Sequence, residues 1–528
     1  MKRSATALVC AGAISAVAFA GCGGGSDSGA ADTALAKFAP ADTPLYVQGV
    51  VRPDGDLKSS VQSILDRFPN GDTAGERLIK SFDESLKEDG GDATYADDIE
   101  PWLGEQAAFF ATSFTTGPVT ADDDSATDLK DGAVIGEVTD EDKAREAIKK
   151  LADAPVTDSD YNGVTISTSP SKDTPGEVDA VAVFDGVAVA GTEQGVKDAI
   201  DASKGDNFSS NSDYSGFVDE KGDDVMLSAF VDPQALLDAI PASPGFGAEE
   251  RSSIEKTYGD ALKEPALASV EVQDDQATID FSAANTPYTP TGGTDLLDSG
   301  FKDAWAAIGI PDIGKSFANF SGQASNLGLS PDEVAQFNSE FEKQAGFSFS
   351  DLGKLGDAAF FAAGTSIDEL QIGGIFEVSD AAARQQLLSA LQKNVAKSGA
   401  TVKPTTLEGA DQAFFISVPD LPIPINVGVS GDKIVVGGGG ATEALLSPDG
   451  GLTDSESFKQ AEDALGGGTD IAFLVDIPPI VDLVDSTGQS DADFEAARPY
   501  LDAFDFFAIG TEQDGDRSTS RTVVRFSD

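Results

Sequence analysis

The sequence predicts an α+β fold made twice: two homologous halves, each a mostly antiparallel sheet with packed helices. Three observations carry this expectation. Leu103-Gly104-Glu105-Gln106-Ala107-Ala108-Phe109-Phe110 recurs as Leu355-Gly356-Asp357-Ala358-Ala359-Phe360-Phe361, and the segments downstream of it recur in the same order. The copies keep their spacing: Glu137 precedes Asp232 by 95 positions, and Glu377 precedes Asp476 by 99. Each copy mixes capped helices with consecutive strands and hairpins, the pattern of an α+β domain rather than of alternating βαβ units.

Residues 44–51 read as the first strand, and residues 57–68 and 74–86 carry apolar side chains at helical spacing. Residues 133–140 read as a strand stopped by a helix cap, where Thr139 or Asp140 can accept from the free amides of the next helix. That helix places Ala144, Ala147, Ile148 and Leu151 on one stripe. A hairpin over 180–192 turns at Asp185-Gly186, a strand over 225–232 ends at Asp232-Pro233, and a hairpin over 268–281 turns at Gln273-Asp274. In the second copy the first strand is 303–310, and the capped strand is 373–380 with Ser379 or Asp380 as cap. The helical stripe is Leu387, Leu388, Leu391 and Val395, and the hairpins are 426–437 and 507–526, turning at Gly431-Asp432 and Gln513-Asp514. The strand over 470–476 repeats the one ending at Asp232, so Asp232 and Asp476 both read as helix N-caps followed by proline. Residues 115–131 and 168–177 are polar insertions without counterpart, expected as surface loops.

The amino terminus reads as a targeting signal. Lys2 and Arg3 precede an apolar run over 5–20 that is short for a membrane span. The run ends at Phe19-Ala20-Gly21-Cys22, which resembles a bacterial lipobox and marks Cys22 as the lipidated residue. An ordinary secretory signal with an incidental cysteine is the competing reading; the Gly/Ser/Ala/Asp stretch after Cys22 favours lipidation, because it makes a tether of about 18 Å root-mean-square span. The plan is therefore a signal over 1–21, a tether over 22–35, halves over 36–282 and 299–528, and a Thr/Pro/Gly-rich linker over 283–298.

Composition removes whole classes of chemistry. There is no histidine, and of the two cysteines Cys10 lies in the signal and Cys22 would carry lipid. Ser-His-Asp and Cys-His hydrolases and histidine or thiolate zinc sites are excluded, as are disulfides in the mature chain. Asp and Glu number 91 against 35 Lys and Arg, a net charge of −56 that becomes −58 without Lys2 and Arg3. Nucleic acid is a poor partner for such a surface.

Ala41-Asp42-Thr43-Pro44 ahead of the first strand, the Leu-Gly-x-x-Ala-Phe-Phe strand and the Glu-Val-[Ser/Thr]-Asp strand end together resemble an uncharacterised bacterial family, the domain-of-unknown-function family 3352. The resemblance covers most of the mature chain. It implies an exported, often lipid-anchored protein and supplies no catalytic residue.

Three stretches invite a chemical reading. Gly309-Ile310-Pro311-Asp312-Ile313-Gly314-Lys315-Ser316 satisfies the P-loop formula, but Pro311 removes an amide and Asp312 sets a negative charge where phosphate would lie, so no nucleotide is expected. Asp158-Ser159-Asp160-Tyr161-Asn162-Gly163 opens like a calcium loop, but its twelfth position is Ser169, and Asn162-Gly163 reads better as a tight turn. The Phe-Phe strands suit central strands covered on both faces, or the wall of an apolar cavity. The expectation is a lipid-anchored protein on the extracytoplasmic face of the membrane, without catalytic residues, metal or cofactor, that binds or scaffolds envelope components. Its alternatives are a carrier of an apolar ligand, signalled by a large dry cavity, and a carboxylate-based hydrolase, signalled by two close carboxylates in a cleft.

Overall fold

The computed structural model describes residues 33–88, 93–116, 127–151, 155–170, 178–222, 224–240, 247–286, 294–315, 317–318, 331–397, 399–418, 423–447, 450–488 and 492–527. The stretch read as a targeting signal and Cys22 lie outside them. The fold is mixed α and β, and the chain divides into two compact units, Met1–Ala284 and Asn285–Asp528.

Unit 1 contains β1 (Leu45–Val50), β2 (Leu103–Thr116), β3 (Thr127–Val138), β4 (Thr157–Tyr161), β5 (Val164–Pro170), β6 (Val178–Phe184), β7 (Val187–Thr192), β8 (Val225–Val231), β9 (Ala266–Gln273) and β10 (Gln276–Ala284). Their antiparallel pairings give the order β4-β5-β6-β7-β3-β2-β1-β8-β9-β10. Its helices are α1 (Gly55–Leu65), α2 (Ala74–Glu88), α3 (Glu141–Leu151), α4 (Glu193–Ala202), α5 (Ser212–Lys221), α6 (Pro233–Ala239) and α7 (Ala248–Tyr258). One hydrophobic cluster joins Tyr46, Phe110, Ile135 and Val189 of the strands to Val196 and Ile200 of α4 and Tyr214 and Val218 of α5. Another joins Ala107, Val138 and Val183 to Leu86 of α2, Ala144 and Ala147 of α3, and Tyr95, Ile99 and Trp102 around a short π-helical turn. Such double cover is why the central strands read as unbroken apolar runs.

Unit 2 contains β11 (Ala304–Ile310), β12 (Ala358–Ala363), β13 (Gln371–Glu377), β14 (Thr401–Thr405), β15 (Gln412–Ser417), β16 (Ile425–Ser430), β17 (Lys433–Gly438), β18 (Asp470–Asp476), β19 (Phe504–Asp514) and β20 (Arg517–Phe526). Their antiparallel pairings give the order β14-β15-β16-β17-β13-β12-β11-β18-β19-β20. Its helices are α8 (Pro331–Ala345), α9 (Phe349–Leu352), α10 (Ala381–Lys397), α11 (Ala441–Leu446), α12 (Glu456–Leu465), α13 (Ile477–Ser486) and α14 (Ala492–Leu501). Phe361, Ile375, Val435, Leu474 and Ala508 pack with α11 and α12 in one cluster, while Phe414, Val427 and Ile434 pack with Leu387 and Leu388 of α10 in another.

Several expectations meet a different outcome. The 115–131 insertion is not simply a loop: β2 runs to Thr116 and β3 starts at Thr127, so its flanks extend the hairpin, and β5 likewise runs on to Pro170. The stretch read as a linker is folded at its ends, with β10 reaching Ala284 and a 3-10 turn at Asp295–Ser299 burying Leu296 and Leu297. Residues 287–293 of it lie outside the described residues. Ala34 and Leu35, the last two residues of the stretch read as a tether, belong to a 3-10 turn over Ala34–Phe38 in which Leu35 and Phe38 are buried. The last hairpin turns at Gly515-Asp516, two residues later than expected, where Gly515 supplies the positive φ of 58°. The strand-ending caps are the aspartates: Asp140 accepts from the Lys143 amide and Asp380 from the amides of Ala382 and Ala383, while the Thr139 hydroxyl donates to the Trp102 carbonyl.

Candidate ligand pocket

The repeated Leu-Gly motif sets how the Phe-Phe strands enter the sheets. In unit 1 the register jumps from Leu103↔Val138 to Ala107↔Gly136, which leaves β2 amides off the ladder. Glu137 takes them up: its carboxylate accepts from the amides of Glu105 and Gln106 at 2.8 and 3.3 Å. Gly104 is required there, because a Cβ would lie 2.6 Å from the Glu137 side chain. In unit 2 Gly356 lies against Glu377 in the same way, with a Cβ 3.2 Å from that of Glu377. Burial, then the neighbouring Asp357 carboxylate, raises the Glu377 pKa.

Downstream of this anchor the paired phenylalanines split between the faces of the sheet, as strand alternation demands. Phe361 is buried in the core shared with α11 and α12. Phe360 points the other way, stacks edge-on against Phe376 at 5.3 Å, and lines a cavity of about 670 Å³. The floor is sheet: Phe360 of β12, Ile372, Gly374 and Phe376 of β13, Val436 and Gly438 of β17 and Ile425 of β16. Leu387, Leu388 and Leu391 of α10 form one wall, and Phe347, Leu352 and Leu355 form the next. Every described residue lining the cavity is apolar or glycine. At its edge Ile372 is 57% exposed, so hydrocarbon surface continues from the cavity to solvent.

The Phe347–Leu355 wall is pinned to α10 by one carboxylate. Asp351 accepts from the Ser348 amide at 2.9 Å, the Ser348 hydroxyl at 2.8 Å and the Gln386 side-chain amide of α10 at 2.9 Å. The Ser348 amide is the main reason its pKa lies below the usual carboxylate value. The pin is polar, but Ser348, Asp351 and Gln386 are not among the described residues that line the cavity.

The residues singled out for chemistry are placed elsewhere. Gly309–Lys315 leaves β11 into a turn in which three amides are committed within the protein: Asp312 donates to the Asp357 carboxylate at 2.9 Å, Ile313 to the Gly356 carbonyl and Lys315 to the Asp312 carbonyl. The Lys315 ammonium is mostly exposed and pairs with Asp312. Ser316 lies outside the described residues. The calcium-like stretch is the β4–β5 hairpin, turning at Asn162-Gly163 with φ of 52° and 81°, and Asp158 is held by the Ser167 hydroxyl at 2.7 Å. Asp232 caps α6 by accepting from the Ala235 amide at 2.8 Å, as expected. Asp476 sits at the start of α13 but makes no capping bond, which corrects the expectation for that position. Among the described residues no three Asp, Glu, His or Cys side chains group as a metal would require, and no helix is long and apolar enough to cross a membrane.

The sequence offers the Phe-Phe strands either as covered central strands or as the wall of an apolar cavity, and Leu387, Leu388 and Leu391 as a helical stripe, but does not bring the two together. The missed signal is Gly374. It pairs with Phe360 on the floor, where Phe109 of unit 1 pairs with Val134.

A family profile described as "Protein of unknown function (DUF3352)" matches residues 4–527, so the chain belongs to that family. No curated protein matches. A solved structure titled "Structure of crystal form I of TP0453" is similar at 9% identity and a TM-score of 0.15, covering 78% of this chain and 96% of that one, a likeness too slight to bear on fold or function.

Proposed function

We propose that this member of the DUF3352 family is a lipid-anchored envelope protein that binds the hydrocarbon part of an amphiphile in unit 2. The single observation behind this reading is the apolar cavity. Its volume falls in the range of small-molecule sites, about 300–1,000 Å³. Its described lining carries no polar side chain, and burying an unmatched amide or hydroxyl costs about 1–3 kcal/mol. The inserted portion is therefore plain hydrocarbon, with any polar head left at the Ile372 edge. Such a lining suits holding a chain, and among the described residues that form it there is no acid, base or nucleophile for chemistry on it. This makes the carrier reading stronger than the scaffold or hydrolase readings.

Two further elements belong to the proposal. The strand orders of the two units, and the matching of Phe109 and Phe360 in register, support an origin by internal duplication. The lipobox-like run ending at Cys22 supports an anchor on the extracytoplasmic face of the membrane, and the Cys22→Ala protein should then appear in the soluble fraction.

The test of the pocket is direct. Native mass spectrometry with organic extraction of the purified protein should recover an apolar molecule, and an environment-sensitive apolar dye should bind saturably and be displaced by a long-chain alcohol. A protein that carries no extractable ligand and gives no saturable dye signal would falsify the carrier reading.

A further inference from the structure

The two units end their eighth-in-order strands, β8 and β18, on an aspartate followed by proline-containing helices, yet the two carboxylates live in different surroundings. In unit 1 the helix after Asp232 begins Pro233-Gln234-Ala235, and the third residue still has an amide, which the carboxylate accepts at 2.8 Å. In unit 2 the helix after Asp476 begins Ile477-Pro478-Pro479. An N-cap side chain is satisfied by the amide of the second or third helical residue, and both are proline here, so neither amide exists. Asp476 is 9% exposed, and its Oδ1 has no hydrogen-bond partner among the described residues. The carboxylate draws its support instead from the hydroxyl of Ser457 on α12. The charged group that faces it from a neighbouring strand is Asp505 of β19, whose like charge adds to the cost of ionisation. On its own helix Asp485 is engaged with Arg498 of α14 at 2.8 Å.

We propose that Asp476 is an acid-sensitive clasp: the double proline strands a buried carboxylate at the junction of β18 and α13, so unit 2 holds this junction more firmly in mild acid than at neutral pH. Burial, the largest influence, pushes the carboxyl up from 3.8 to about 6. Between those values the folded state binds a proton that the unfolded chain does not, so stability is gained as pH falls through about 6 and lost as pH rises through it. The device lies at the end of the strand that pairs with β11, and β11 in turn pairs with β12, which carries Phe360.

The test compares urea midpoints of the full chain at pH 5 and pH 7.5, with hydrogen-exchange protection factors for α13 as the local readout. The chain carries 91 Asp and Glu residues, so the quantity of interest is the difference from Asp476→Asn, which keeps the shape and removes the charge. Wild type should lose about tenfold in its folded-to-unfolded ratio between pH 5 and 7.5 relative to Asp476→Asn. Pro479→Ala restores the amide at the third helical position and should erase most of that difference while Asp476 stays charged. Wild type and Asp476→Asn tracking each other across the range overturns the clasp. Pro479→Ala keeping the whole pH effect overturns the role given to the prolines.

Discussion

Unit 1 and unit 2 run ten strands in one order and use the face beside α3 and α10 differently. In unit 1 that face is filled: Tyr95, Ile99 and Trp102 are each buried against Leu86, Ala144 and Ala147, and the Trp102 indole donates to the Asp98 carbonyl. In unit 2 the residue just before the Leu-Gly pair is Lys354, whose side chain turns to solvent and Asp351, and Gly374 pairs with Phe360 where Val134 pairs with Phe109. An indole and an isopropyl group are absent from one side of the comparison, and a cavity is present there. The contrast teaches that a shared framework fixes where a pocket can form, while a few side-chain volumes decide whether it does.

The same contrast recurs at the last strand of each unit. In unit 1 Lys221, at the end of α5, reaches Asp280 of β10, which is fully buried, and Glu271 of β9 at 3.4 Å. Asp280 ends a row of buried polar residues that runs Gln48, Ser228, Ser269, Asp280 across four neighbouring strands. In unit 2 the direction reverses: Arg521 of β20 donates to the Leu465 carbonyl at the end of α12 at 2.6 Å. One unit buries a charge and must pair it; the other brings a cation to a helix C-terminus, where carbonyls are in surplus.

The comparison can be broken from either side. The largest expected effect is Lys221→Met, which removes the cation that buried Asp280 shares with Glu271 and should cost about 3–5 kcal/mol by urea denaturation. Trp102→Ala comes next at about 3–4 kcal/mol, since it empties a filled core position. A loss below about 1 kcal/mol would show that unit 1 does not depend on its indole filler. Arg521→Met should cost only about 1–2 kcal/mol, the size of a lost hydrogen bond to a helix-end carbonyl. If Arg521→Met proves as damaging as Lys221→Met, the distinction between the two anchors fails. Gly374→Val gives unit 2 the valine of unit 1. The new Cβ lies 3.0 Å from a Phe360 ring carbon and 3.3 Å from the Ala359 carbonyl oxygen, so the ring that lines the cavity must give way. Dye affinity should fall by about tenfold, a change of about 1.4 kcal/mol, with the melting temperature nearly unchanged. The smallest effect is Lys315→Ala, expected within about 0.5 kcal/mol for an exposed side chain. Magnesium-ATP should produce no melting shift, whereas a site saturated a hundredfold would add about 2.7 kcal/mol.

Strands, hairpins and helical stripes were largely legible in the chain because period-two and period-3.6 patterns are local properties. The stripe Leu387, Leu388, Leu391 is a case where three positions identify both the helix and its apolar face. The pocket was not legible, because its floor joins two hairpins, β12–β13 and β16–β17, that meet only through the long-range pairing of β13 with β17. Nor did local pattern reveal that Asp351 pins one wall to Gln386, thirty-five positions away.

By itself the sequence determined the element types, the recurrence of their order, the absence of histidine chemistry and the aspartates at the helix starts, all of which depend on residue identity and short spacing. Tertiary structure alone decided that Phe360 faces a cavity while Phe361 is buried in the core, that Gly374 lies on the cavity floor, and that Asp476 is buried rather than solvated. Each of those outcomes is a matter of which volumes and dipoles meet across the sheet. An N-cap aspartate before Pro478-Pro479 reads locally like the one before Pro233; only the surrounding core turns the missing amides into a buried, uncapped charge.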